Sequence, residues 1–338
     1  MRHALTIITN IRDQIVETLE RLGEARKRRD VVRAAGETFP GALRSAGTGS
    51  LATALVNARV DDADSVLVLD RRSYPTLGPD GDGDLPTEIV GAVQAHIGPR
   101  VRKTYAKAEA CEMKRGLIVR CHENFDGVDP TVDFVIALTR AKGPGLWIPN
   151  MDAGCWDPSH PELHVELFNS GSRELRRSRA QATRIVKAWN KQHAEPALSS
   201  FNVSALGLEA ITIPLALDEA VAVLFEHAAS SLALRRTEDP AGVSGLVKLV
   251  KSKEITINRL TDAATKVRQA VESTDEDEVT ELLAGVFWKY VTAPTGGTAA
   301  LLGGLRSGNG GVGTASGLLL TGAGARLKPT RSFGGHRA

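Results

Sequence analysis

The chain has 338 residues, 42% of them hydrophobic and 24% charged, the balance of a globular protein able to bury a sizeable core. Its 42 Lys and Arg nearly cancel its 40 Asp and Glu, and a net charge of +2 argues against a protein built to coat nucleic acid while allowing local basic pockets. Cys111, Cys121 and Cys155 are too scattered for a disulfide framework and predict reduced thiols in a cytoplasmic protein; Asn10, Arg12 and Asp13 are too polar for a signal-peptide core, and no apolar run nears the ~20 residues of a membrane span.

In chain order, Ile8, Ile11, Ile15, Leu19 and Leu22 predict one face of a single long helix over about Thr6 to Arg29. A short helical stretch then leads to a turn at Phe39-Pro40-Gly41. After Ala42 to Gly49 comes the apolar run Ser65 to Leu69, bounded by acidic residues and by Arg71-Arg72, which predicts a buried strand. Gly78 to Asp84 reads as a flexible loop, Pro86 to Ile97 as a helix, and Gly116 to Cys121 with Thr131 to Leu138 as a hairpin whose turn residues include Asp126-Gly127. Beyond Pro161 the pattern is helical: Ser172 predicts an N-cap for a helix through Leu175, Ala182, Ile185 and Trp189, and further helices are expected over Asn202 to Ala210, Leu217 to Ser230, Ile255 to Glu272 and Asp275 to Val291. From Pro294 the composition turns to Gly, Ser and Thr, predicting a largely flexible extension.

The chemistry-bearing residues lie in the first half. Asp62 and Asp64 are two apart, so on a strand both carboxylates face one side, where they suit a hard cation such as Mg²⁺ and the phosphates it holds. Gly49-Ser50 at a helix start offers backbone N–H groups and a hydroxyl to a triphosphate. Asp133 interrupts the apolar run Val132, Phe134, Val135, Ile136 and calls for a cation or other partner if buried. Each signal alone is weak, since Asp-x-Asp and Gly-Ser occur in many exposed turns.

Together these pieces resemble the polymerase-β-type nucleotidyltransferase pattern: Gly49-Ser50-Leu51-Ala52-Thr53, then Asp62-Ala63-Asp64, then Asp133 within Val132 to Val135. Downstream, Trp156-Asp157-Pro158-Ser159-His160, Val186-Lys187-Ala188-Trp189-Asn190, Leu198-Ser199-Ser200-Phe201 and Glu238-Asp239-Pro240-Ala241-Gly242 follow the order seen in the oligoadenylate synthetase and cyclic-GMP-AMP synthase superfamily, in particular its bacterial cGAS/DncV-like members. The resemblance spans about Phe39 to Tyr290. It implies an α+β, bilobal enzyme: N-terminal spine helices over 1–38, a nucleotidyltransferase sheet core over 39–160, a helical lobe over 161–293 and the Gly-rich tail over 294–338.

The resemblance further implies synthesis of a cyclic di- or trinucleotide from ATP and other NTPs with two Mg²⁺ (or Mn²⁺) ions, in anti-phage signalling through a separate effector protein. Asp62, Asp64 and Asp133 would bind the metals; Gly49, Ser50, Lys187 and Ser200 would contact nucleotide. Lys187 also falls on a basic helix face with Arg177, Arg184 and Lys191, equally readable as a solvated surface, and Ser200 is equally readable as a helix N-cap. One departure stands out: the usual glycine between the serine and the threonine is missing, and the threonine comes early, at Thr53.

Alternatives remain open. The same fold could serve another acceptor (an RNA end, a small molecule or a protein), although near-neutral charge speaks against RNA; or the chain could be a non-catalytic nucleotide sensor, which three retained, mutually repelling carboxylates oppose. The run ending Gly334-Gly335-His336-Arg337-Ala338 would be accessible to a ubiquitin-like conjugation machinery, with a functionless terminus the equal alternative. No membrane and no stable nucleic-acid partner is expected. Cys155, His160 and His164 lack a fourth ligand for zinc, Arg26-Lys27-Arg28-Arg29 reads as a solvated helix end, and Tyr74, Trp147 and Trp156 as core.

Overall fold

The apolar run Ser65 to Leu69 is the buried end of a longer strand, β2 (Asp62–Leu69), on which Asp62 and Asp64 stand at the entrance. The computed structural model describes residues 2–293; the Gly-rich segment expected to be flexible, and with it the conjugation reading, lies outside the described residues. Strand β2 pairs antiparallel with β1 (Ala42–Gly47) and parallel with β5 (Thr131–Thr139). The sheet continues through β4 (Gly116–Arg120) to β3 (Glu109–Met113), while β6 (Leu146–Asn150) joins the end of β5 and carries β7 (Cys155–Ser159).

Alternation along the strands sorts the sheet into two unlike faces. Leu67 and Leu69 of β2, with Val132, Phe134, Ile136 and Leu138 of β5, pack beneath α2 (Leu19–Glu37) and α4 (Thr87–Val101). Helix α2 approaches so closely that a Cβ on Gly36 would stand 2.4 Å from the Phe134 ring. The opposite face carries Asp62, Asp64, Asp133 and Val135, with Val66, Val68 and Ala137 filling its deeper end. Asp133 thus belongs to the half-open face and is not enclosed in the apolar layer its neighbours form.

The expected β4–β5 hairpin is present, antiparallel, with Phe125 and Val128 bridged around Asp126 (φ +49°) and Gly127 (φ +78°). Both central residues at positive φ make this the turn whose twist suits a hairpin, and Asp-Gly is a favoured pair for it. Strands β3, β6 and β7 leave no clear sequence signal. Pro149 and Pro158 sit within β6 and β7, and proline ordinarily demotes a strand reading; here both lie at the sheet margin. The Gly78–Asp84 loop, expected to be flexible, is pinned: the Asp80 carboxylate accepts from Ala141 N and Trp147 Nε1 at 2.7 Å each, and Trp156 Nε1 donates to Asp84 O at 3.0 Å.

The helices after Pro161 are α5 (Pro161–Phe168), α6 (Arg173–Gln192), α7 (Ser200–Ala210), α8 (Leu217–Leu234), α9 (Lys253–Glu272) and α10 (Glu276–Val286). Ser172 caps α6 as expected, accepting from Leu175 N at 3.2 Å. Their core gathers Ile185, Trp189, Leu206, Phe225, Leu260, Val267 and Phe287, with Trp189 edge-on to Phe225 at 4.9 Å. Burying each such side chain contributes about 1.5–3 kcal/mol.

The N-terminal segment departs from expectation. It is two helices, α1 (His3–Gln14) and α2, broken at Ile15 to Thr18, and Leu19 is 78% exposed instead of continuing the apolar stripe. Ala4, Ile8, Ile11 and Ile15 join the helical core, whereas α2 lies on the sheet. The break is held by tertiary bonds that an unbroken helix would forbid. Ile15 O accepts from Ala58 N and from Arg184 Nη2, both at 2.9 Å, and the Glu17 carboxylate takes Thr18 N at 3.0 Å and Val60 N at 2.6 Å. The basic run Arg26 to Arg29 lies mid-helix, and Arg28 is buried, donating to Glu24 Oε1, Asp129 Oδ1, Glu123 O and Pro130 O.

Glu17→Ala strands two backbone donors next to the break. Its expected cost is about 2–4 kcal/mol, from unsatisfied groups at about 1–3 kcal/mol each. Urea unfolding of the two proteins measures it, and a loss below ~1 kcal/mol would contradict this account of the junction.

Candidate active site

A parallel ladder sets partners side by side and pointing the same way, and the β2–β5 register places Asp64 opposite Asp133. Asp62 follows on the same face at the strand entrance. The three carboxylates make no ion pair with Lys or Arg within contact distance among the described residues. Burial, then Asp62 and Asp133, push the Asp64 carboxyl up to about 7. Burial, then Asp62, raise Asp133 to about 6 despite Arg120 nearby. Asp62 is raised by burial and by Asp61, against the pull of Lys191 and Lys187. The cluster therefore gathers three acidic groups that no Lys or Arg among the described residues balances at close range.

The turn between β1 and β2 is shaped to the carboxylates. Gly49 has φ +64° and opens α3 (Gly49–Ala52), and a Cβ there would stand 1.7 Å from Asp64 Oδ2. Glycine is thus required twice, by backbone and by space. Thr48 N donates to Asp64 O at 3.0 Å, which fixes the turn to the strand. The position of the missing glycine, between Ser50 and Thr53, lies inside α3. Ala54 closes α3 at φ +57°, where glycine is usual, while Leu55 N donates to Ser50 O at 2.9 Å, the bond that completes a left-handed helix end. Thr53 is buried and its hydroxyl donates to Gly49 O at 3.0 Å, so its job is local.

Lys187 reaches this face from α6. It is 6% exposed, so the basic stripe on α6 is no solvated surface at this point. Burial, then Lys191, lower its ammonium to about 8, against the pull of Asp64 and Asp62. Arg184 is also turned inward, its Nε donating to Asn57 Oδ1 at 3.1 Å. A cavity of about 690 Å³ lies between the sheet face and helices α5, α6 and α7.

Of the residues singled out from sequence, Gly49, Ser50, Asp62, Asp64, Lys187 and Ser200 line this cavity. Asp133 does not; it flanks Asp64 at the cavity's edge. Ser200 is not the cap of α7, because Ser199 takes that role, accepting from Asn202 N at 3.1 Å. His160 caps α5 through Leu163 N at 3.3 Å, and His164 Nε2 pairs with the buried Asp239, so neither is free for zinc with Cys155. Tyr74 stacks on Phe39, while Trp147 and Trp156 pack at the sheet, so these aromatics are structural. Arg59, Asp61 and Arg115 also line the cavity without having been singled out from the sequence, and Phe201, read only as part of the Leu198 to Phe201 motif, lines it beside Ser200. Arg59 and Asp61 sit in an irregular loop without periodicity, so only the fold brings them in.

No group of three or more His, Cys, Asp or Glu among the described residues forms a ready-made metal centre. The donor set nonetheless fits hard divalent cations. Mg²⁺ is ordinarily held by one or two carboxylates plus substrate phosphates, so a complete protein cage is not required. Asp62 and Asp64 on one strand face, with Asp133 alongside, provide those carboxylates and the uncompensated charge.

No protein-family model and no curated protein matches the chain. Solved structures do. The Escherichia coli MS115-1 CdnC structure with ATP superposes with a TM-score of 0.63 at 15% identity, covering 85% of this chain and 98% of that one. Bradyrhizobium diazoefficiens CD-NTase CdnG with GTP gives 0.62 at 14%, covering 84% and 95%. Vibrio cholerae DncV cyclic AMP-GMP synthase gives 0.54 at 14%, covering 85% and 88%. The chain therefore has the fold of the bacterial cGAS/DncV-like CD-NTases, an α+β nucleotidyltransferase sheet with a helical part packed beside it.

Two outcomes follow from the geometry. Gly49→Ala must displace Asp64 or the turn, with an expected destabilisation of about 2 kcal/mol or more from the left-handed backbone and the clash together; an unchanged urea midpoint would contradict the close approach. Asp64 and Asp133 bind protons more tightly folded than unfolded, so in the metal-free protein their contribution to stability falls as pH rises between about pH 4 and 7. Lys187 acts in the opposite sense, but only above about pH 8. Asp64→Asn should flatten the fall by roughly 1–3 kcal/mol, read from thermal unfolding in EDTA across that range; an equally steep fall in the variant would refute the assignment.

Proposed function

We propose that the chain is a nucleotidyltransferase that joins NTPs, with divalent cations, into a cyclic di- or trinucleotide second messenger of bacterial anti-phage signalling. The observation that carries this reading is the β2–β5 register: it sets Asp62, Asp64 and Asp133 on one face, unbalanced, beside buried Lys187 in a nucleotide-sized cavity. Structural likeness to proteins whose structures contain ATP, GTP and, for DncV, the linear intermediate pppA(3′,5′)pG supports NTPs as substrates. The lobes proposed from sequence, 39–160 and 161–293, would form the two walls of the cleft.

In this reading a ribose hydroxyl oxygen attacks the α-phosphorus of an NTP, a new P–O bond forms, the bond to the β-phosphate breaks and pyrophosphate leaves. Bound at Asp62, Asp64 and Asp133, two Mg²⁺ or Mn²⁺ ions would supply charge neutralisation at the phosphates and at the attacking oxygen. Ser50 presents its hydroxyl to the donor triphosphate from the turn that Gly49 shapes. Lys187, buried on α6 and without a close carboxylate, gives its charge to the same phosphates, and Ser200 lines the same cleft. Asp133, at the edge of the cavity beside Asp64, would help activate the acceptor hydroxyl as it loses its proton. Asn57 and Arg184 brace the wall.

The test is incubation with labelled NTP pairs and Mg²⁺ or Mn²⁺, then phosphatase. A phosphatase-resistant product is expected, abolished in Asp62→Ala/Asp64→Ala and lowered about 10²–10³-fold in kcat/KM in Lys187→Gln, the scale for removing one preorganised electrostatic contact. Nucleotide transfer only onto added RNA or protein would favour another acceptor. No transfer with any NTP, metal or acceptor would favour the non-catalytic sensor.

A further inference from the structure

A second cavity, of about 540 Å³, opens on the helical part, where the end of α8 meets the extended segment that leads into α9. It shares no lining residue with the cleft. Leu232 and Leu249 form an apolar floor with exposed Leu234 beside them, and the rim is Arg235, Arg236, Lys248, Lys251 and Lys253. No carboxylate lines it.

The frame of this cavity is fixed by the backbone. Val247 N donates to Thr237 O at 2.8 Å and Val250 N to Ala197 O at 3.0 Å, which pins residues 247–250 as a ledge. Alternation along the ledge turns Lys248 outward and Leu249 inward. Lys253 Nζ donates to Ala233 O at 2.7 Å and ties the start of α9 to the end of α8. The cations are therefore brought together by the fold and do not drift in independently.

Their charge is only partly answered. Arg235 pairs with Glu209 at 3.1 Å and with Glu238 at 3.9 Å, and Lys251 with the exposed Glu195, all three carboxylates lying outside the cavity lining. Arg236 and Lys248 have no ion-pair partner among the described residues. Five cations on one rim, in a chain whose net charge is only +2, are a local excess. A neutral ligand would leave it uncompensated, and a single carboxylate would answer one of the three cations, Arg236, Lys248 and Lys253, that have no carboxylate partner among the described residues. Several phosphates on a compact apolar body match both the rim and the leucine floor, and the volume lies in the ~300–1,000 Å³ range of small-ligand sites. Arg forks and Lys point charges are the usual phosphate partners. A nucleic-acid duplex presents its phosphates on a convex surface and would leave the leucines unmatched.

We propose that this cavity binds a multiply phosphorylated ligand of nucleotide size, its phosphates on Arg236, Lys248 and the neighbouring cations and its body on Leu234 and Leu249. The site is independent of the transfer reaction assigned to the cleft. It is tested on the full chain carrying Lys187→Gln, which weakens the cleft and leaves this cavity intact, by equilibrium dialysis of labelled ATP and of inorganic tripolyphosphate at low and at physiological salt. Saturable binding of at least one probe is expected, weakened by salt and lowered at least about tenfold by adding Arg236→Glu/Lys248→Glu. ATP binding more tightly than tripolyphosphate would place the base on the leucines, and equal affinity would assign the affinity to the phosphate chain; both support the site. Three results would overturn it: no binding stronger than about millimolar, affinity unchanged by charge reversal in a variant with wild-type thermal unfolding, or binding of a short RNA duplex in place of both probes.

Discussion

Two carboxylates placed opposite one another across a parallel strand pair repel, and in a half-buried setting neither is readily ionised without a cation. Asp64 and Asp133 are in that position, with Asp62 two residues along the strand, and much of the surrounding structure accommodates them. The β1–β2 turn must pass so close to Asp64 that only glycine fits at position 49. The helices α2 and α4 cover the other face of the sheet, which leaves the acidic face for the cleft. Lys187 comes in from α6, buried and without a contact carboxylate. Free energy that continuous apolar packing would have contributed at this face is given up, and what results is an acidic face of the kind that suits hard divalent cations.

The second constraint is the junction between the sheet and the helical part. The chain crosses it at Ile15 to Thr18, and the same few bonds that end α1 also hold the loop of Asn57 to Val60, immediately before β2. Glu17 is central: a buried carboxylate spanning two backbone donors and paired with Arg21. Removing it would disturb the break in the helix and the approach to Asp62 together. The cleft is therefore braced from behind by Arg184, which holds Asn57, a residue of the cleft's own lining, and Ile15 O.

Likeness at 14–15% identity and TM-scores of 0.54 to 0.63 reflects how little of such a fold is tied to particular residues. The apolar layers require size and alternation, which many sequences satisfy. The strict requirements are few, and in this chain they cluster at the turn, the strand entrance and the helix behind it. Ala54 illustrates the tolerance: it takes a left-handed position usually given to glycine, at a cost of order 1 kcal/mol that the surrounding turn absorbs.

Sequence by itself determined what depends on period and on local chemistry. The carboxylate pair on one strand face, the Asp126-Gly127 hairpin, the Ser172 cap, the helices after Pro161 and the inward stripe on α6 are all short-range, because strand and helix repeats carry them. It did not determine what depends on partners distant in the chain. The break in the first helix needs Ala58, Val60 and Arg184; the pinning of the Gly78–Asp84 loop needs Ala141, Trp147 and Trp156; and the proline-bearing margin strands exist only because β5 offers an edge. The same holds for charge. Arg26 to Arg29 and the α6 lysines look alike in sequence, yet Arg28 and Lys187 are buried while Arg26, Lys27 and Lys191 are exposed, because burial is a property of what packs against a helix and not of the helix. Asp62, Asp64 and Asp133 could be named from the sequence; that Asp64 faces Asp133, unbalanced, was decided by the tertiary register.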